Sequence, residues 1–194
     1  MKTLPAYIGI TAALLIAVCD VILLGLPVNG SYYDMSSFGA VAQISPGRAA
    51  IGSAGGLFCA FFIGFGHWYL KTKFEAANPK LATLLFISLA SVMFFGGAFH
   101  AGYYFLAQGD LPLQGHQQYL EILSWLGVPG FVAGTVLFYI LASDKRFPAW
   151  YRFCNPLVTS AVFLIAFYIL PAPIGGYLKP TFVNLGTASF FLLS

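Results

Sequence analysis

Hydrophobic residues run almost without interruption over residues 7–26, 49–70, 81–106, 120–142, 155–170 and 177–193, and polar residues collect between these stretches. Runs near the ~20 residues that cross a bilayer as a helix predict an all-α, polytopic membrane protein. The expected architecture is a single domain over residues 1–194, a bundle of six transmembrane helices with the fifth on the short side. The apolarity is continuous and does not alternate in segments of ~10 residues, which excludes an outer-membrane barrel.

Proline and glycine punctuate the runs. Pro5 precedes the first and Pro27 ends it, while Asn155-Pro156 pairs a good helix cap with a first-turn proline at the fifth. Pro129 lies inside the fourth run, where the lost backbone hydrogen bond predicts a kink. Gly52 and Gly56 in the second run, and Gly130 and Gly134 in the fourth, have the four-residue spacing that lets a neighbouring backbone come close. Residues 28–47, with Asn29-Gly30-Ser31 and Ser45-Pro46-Gly47, predict an ordered loop able to fold back over the helix ends, and residues 108–119 a polar loop.

Composition removes the soluble alternatives. Of 194 residues 59% are hydrophobic and 8% charged, and no soluble domain of this size hides so much apolar surface. The first run follows Lys2 as a signal peptide would. It is nevertheless ~20 residues long, lacks an Ala-x-Ala-like cleavage site and is followed by more spans, so it is read as a helix. Cys19, Cys59 and Cys154 sit in or beside apolar runs at unrelated spacing, as small buried hydrophobes do.

The net charge of +3 matters less than where the charges fall. Lys2, Lys71, Lys73, Lys80, Lys145, Arg146 and Arg152 lie on one side of the expected topology, and Arg48 and Lys179 on the other. That asymmetry predicts cytoplasmic termini and a multi-pass cell-membrane location. His67, Trp68 and Tyr69 would close the second span at the inner interface, and His116 would be a solvated loop residue.

Orientation converts scattered polar residues into a depth map, because each helical residue rises 1.5 Å. Asp20 lies ~20 Å from the cytoplasmic start of its span, and His100, among Gly96, Gly97 and Gly102, is similarly displaced. Arg48 and Glu121 open their helices at the outer side, and Asn184 falls in the outer half of the last span. Intramembrane polar groups are costly and normally face the bundle interior and pair, so one network is expected, with Asp20 and Arg48 as its ion pair. Tyr103 and Tyr104 stand three and four residues beyond His100, so at least one shares its face.

No zinc motif, Walker loop, dinucleotide fingerprint or nucleophile elbow is present, and no metal or other cofactor is called for. Nine scattered basic residues do not make a nucleic-acid surface. Membrane lipids and a small amphiphile are the expected partners. The leading expectation is an outer-leaflet pocket for a lipid or amphiphile lined by Asp20, Arg48, His100, Tyr104, Glu121 and Asn184. The alternatives are an intramembrane enzyme on a lipid-like substrate, with His100 as general acid/base and Asp20 as its partner, and a small proton-coupled carrier.

Cys19-Asp20 late in the first run, Arg48 opening the second, Gly96-Gly97-Ala98-Phe99-His100 in the third, Phe147-Pro148-Ala149-Trp150 before Asn155-Pro156-Leu157, and Leu170-Pro171-Ala172-Pro173 with Asn184 together carry a resemblance. On these residues the chain resembles an uncharacterised family of small six-span bacterial integral membrane proteins. The resemblance implies topology, an inner-membrane location and a shared polar set, and assigns no catalytic role.

Overall fold

In the computed structural model, which describes residues 3–25, 44–108 and 113–194, those residues are helical apart from turns, with no strand among them. The chain runs through α1 (Leu4–Leu24), α2 (Pro46–Glu75), α3 (Pro79–Gln108) and α4 (Leu113–Ala142). A 3-10 turn (Tyr151–Phe153) follows, then α5 (Pro156–Ile169), α6 (Ala172–Leu178), a second 3-10 turn (Lys179–Thr181) and α7 (Phe182–Leu193). The loop expected over residues 28–47 falls largely outside the described residues.

Among the described residues four helices are long and apolar enough to cross a membrane: α1, α2, α3 and α4. The fifth expected span is α5, whose 14 residues reach only ~21 Å. The sixth falls on α6 and α7, with the helix interrupted over Lys179–Thr181. The long helices also overrun their apolar stretches. α2 continues through Lys71 to Glu75, helped by the ion pair of those two side chains at i,i+4. The polar loop expected at residues 108–119 shrinks, because α3 reaches Gln108 and α4 already begins at Leu113. Hydropathy marks where a helix meets lipid, whereas backbone hydrogen bonding and caps decide where it ends.

Local caps explain the starts. Ser45 Oγ accepts from Arg48 N at 3.3 Å, Asn78 Oδ1 from Lys80 N and Leu81 N at 3.1 Å each, and Asn155 Oδ1 from Val158 N at 3.0 Å. Pro129 lies inside α4. Just beyond it, Gly130 and Gly134 press against α3, where an added Cβ would meet Ser91 and the Leu89 side chain.

Helices α1 to α4 each pack on the next in chain order, α7 packs on α1, and α5 packs on α7. One end of this bundle is tied by aromatic rings. Phe74 of α2 meets Phe138 of α4, Phe147 and Tyr151 at centroid distances of 5.4, 5.0 and 6.2 Å, and Phe138 meets Phe190 of α7 at 4.9 Å. Lys73 Nζ donates to the Tyr151 hydroxyl at 3.0 Å and to the Ser194 carbonyl. Arg146 donates to the Ala76 carbonyl. Burial first, and then the nearby Tyr69, push the Tyr151 phenol above its ordinary value, so it stays a protonated donor facing Ser194.

Gly9 of α1 backs onto Gly66 of α2, so α1 begins at this same basic, aromatic end. A large apolar core spans this half, from Ile10 and Ile63 to Phe138 and Phe191, and a smaller one at the other end joins Leu23, Leu24, Ala49, Tyr103, Leu106 and Leu120. Outside, Phe61, Phe94 and Trp125 are each about three-quarters exposed, as side chains against lipid would be.

Candidate functional site

Between the two apolar cores lies a cavity of about 410 Å³, walled by α1, α3, α4 and the stretch from Lys179 to Asn184. The path to it starts at the α1–α2 contact. Gly52 lets Leu23 and Cys19 of α1 close on α2, since a Cβ there would fall 2.7 Å from Leu23 Cβ. One turn on, Gly56 takes the edge of the His100 imidazole: an added Cβ would overlap the ring at Nδ1. His100 is thereby wedged against α2 with its other nitrogen turned to α1.

That nitrogen, Nε2, stands 3.2 Å from Asp20 Oδ1. Asn184 Nδ2, from the first turn of α7, donates to Asp20 Oδ2 at 2.7 Å. Asp20 is 3% exposed and His100 7%. A carboxylate so deeply buried must have partners, because leaving one unpaired costs several kcal/mol or more, and here three helices supply the pair and the hydrogen bond. Each of these three side chains also lines the cavity.

The rest of the wall is apolar: Ile16, Ala60, Val92, Met93, Phe99, Val128 and Phe131 among others. Ser124 turns its hydroxyl back to the Leu120 carbonyl at 2.9 Å. Lys179 lines the end beyond Asn184, with its ammonium 4.4 Å over the Tyr168 ring. On α3 the lining runs from Val92 to Tyr103, a rise of ~16 Å, so the space is elongated along the bundle with its polar groups towards one end.

Of the residues expected to converge, Asp20, His100 and Asn184 do so and Arg48, Tyr104 and Glu121 do not. The expected Asp20–Arg48 ion pair is replaced by a different arrangement. Arg48 donates to the carbonyls of Ile22, Gly25 (2.7 Å) and Val21 (3.4 Å) at the end of α1, the Val21 carbonyl also accepting from Gly25 N at 3.0 Å. Glu121 is exposed on α4 and accepts from Gln117 Nε2 at 2.8 Å. Tyr104 is exposed, and Tyr103, 2% exposed and stacked edge-on against Phe99 at 5.1 Å, takes the cavity-facing place.

Two histidines also differ from expectation. His67 is buried against Phe191 at 5.3 Å, and α2 continues two further turns beyond it. His116 is not a loop residue: it lies in the first turn of α4 and is 2% exposed, with neither ring nitrogen bonded among the described residues. Lys179 and Ser124 were not anticipated at the cavity; their signal was only position, one turn of chain from Asn184 and one from Leu120.

The geometry limits the chemistry. A histidine acting on a bound molecule presents one nitrogen to it while a carboxylate orients the other. Here Nε2 is taken up by Asp20 and Nδ1 is turned to Gly56 on α2, while Asp20, His100 and Asn184 all line the cavity. Among the described residues no three His, Cys, Asp or Glu side chains come together as a metal site would require. No protein-family model, curated protein or solved structure matches the chain.

Proposed function

We propose that this is a six-span membrane protein with cytoplasmic termini that binds a lipid or small amphiphile in the cavity between α1, α3, α4 and α7. The carrying observation is a space of about 410 Å³ that is apolar along its length and polar at one end. That is the size and lining of ligand pockets in general. An apolar chain would rest against Val92, Met93 and Phe131, with its polar end at Asp20, His100 and Asn184.

The basic, aromatic end of the bundle supports the orientation, since Lys71, Lys73 and Arg146 gather there with the start of α1 and the end of α7. The cavity's polar end then faces the outer leaflet. α5 and the broken α6–α7 segment complete the six crossings by pairing against each other and α1, despite their short lengths.

Gly96 gives a clean test, because it lines the cavity and a Cβ there meets nothing within 4 Å. Native mass spectrometry of the purified protein should find an enriched amphiphile in the wild type and lose it in Gly96→Leu. Gly64→Leu, equally open but off the cavity, should keep it. A wild-type protein that carries no amphiphile removes the proposal. An acid–base enzyme is the second reading, favoured by the 3.2 Å His100–Asp20 contact and opposed by the engagement of Nε2 with Asp20 and the turning of Nδ1 to Gly56. Turnover of a lipid-like substrate, abolished in Asp20→Asn, would establish it.

A further inference from the structure

Resting on the cavity reading, we infer that the site selects a single-chain amphiphile whose head donates a hydrogen bond and carries no negative charge. The inference comes from the acceptors and charges at the polar end. A carboxylate offers about four lone-pair positions. Asp20 spends one on His100 Nε2 and one on Asn184 Nδ2, so acceptor capacity remains on a group that lines the cavity.

Of the two outer cations, only Lys179 lines the cavity, at the end beyond Asn184. Arg48 is held on the carbonyls of Val21, Ile22 and Gly25. The ammonium of Lys179 rests 4.4 Å over Tyr168, and among the described residues its side chain forms no ion pair with Asp20. A phosphate or carboxylate head set against Asp20 would bring acceptor oxygens to a group that is itself an acceptor and that already engages His100 Nε2 and Asn184 Nδ2. A hydroxyl or an ammonium would instead complete the acceptor's coordination.

The tail follows from the shape. The lining covers ~16 Å along α3, close to half of a ~30 Å hydrocarbon core, so one chain of about a leaflet's depth fits lengthwise. The floor at Val92, Met93 and Phe131 holds no polar group to receive a second head.

The test uses the full-length protein in lipid nanodiscs and a dodecanol derivative with a photoreactive diazirine near its tail. Dodecanol, dodecylamine, dodecanoate and dodecyl methyl ether compete for labelling of the cavity. The expected result is displacement by dodecanol or dodecylamine at concentrations about tenfold lower than dodecanoate or the ether require. Asp20→Asn should reduce the handicap of dodecanoate, although the wild-type ranking alone decides the point. Dodecanoate matching the alcohol overturns the exclusion of anions, and the ether matching it overturns the need for a donor; both leave the cavity reading standing. Absence of any cavity labelling by the probe overturns the cavity reading itself.

Discussion

At the basic end of the bundle Phe74, Phe138, Tyr151 and Phe190 join α2, α4 and α7 with rings at 4.9 to 6.2 Å. At the other end α3 and α4 carry glycines: Gly96 lines the cavity with nothing within 4 Å of an added Cβ, and Gly127 meets only Phe95, at 3.9 Å. Each aromatic pair adds about 0.5–1.5 kcal/mol beyond its burial, so the basic half fixes the arrangement of the helices. The opposite half is then free to hold a space that close-packed interiors normally do not leave. The Asp20–His100–Asn184 contact joins α1, α3 and α7 beside that space.

The comparison can be broken most heavily at the packed end. Phe138→Ala should cost about 3–5 kcal/mol in reversible unfolding in bicelle–SDS mixtures, since the ring is fully buried between α2 and α7; a loss under 1 kcal/mol would mean that the knot does not organise the bundle. Gly56→Ala should cost about 1–3 kcal/mol, because the new methyl displaces the His100 ring. It should also lower amphiphile occupancy, while the equivalent change at Gly64 should alter neither.

Asn184→Ala removes a 2.7 Å donor from Asp20 and should cost about 1 kcal/mol, near the usual worth of an interhelical hydrogen bond in a membrane. Smallest of all, Gly96→Leu should be neutral or stabilising by up to about 1 kcal/mol, through helix propensity, yet abolish occupancy. A stability loss there comparable with Phe138→Ala would mean that the space is ordinary core.

How these halves could be read from the chain differs. Apolar runs mark α1 to α4 because membrane helices need unbroken apolarity, and Asn155-Pro156 marks the start of α5 through its cap. Residue count also sets axial height, which is why Asp20, His100 and Asn184 could be assigned to one layer. Rotation about each helix axis was not legible, since helices apolar on all sides carry no stripe that points inward. Tyr103 and Tyr104, or Glu121 facing outward, could therefore not be sorted. Arg48 was misassigned for another reason: the carbonyls at the end of α1 compete for it, and backbone acceptors leave no signature among side chains.

Mapping where the photoreactive dodecanol attaches tests the central claim most directly. Labelling concentrated at Val92, Met93, Val128 and Phe131, and lost in Gly96→Leu, is the predicted result. Labelling confined to the outward-facing Phe94, Val132 and Val136, and unchanged by that substitution, would contradict it and reduce the probe to surrounding lipid.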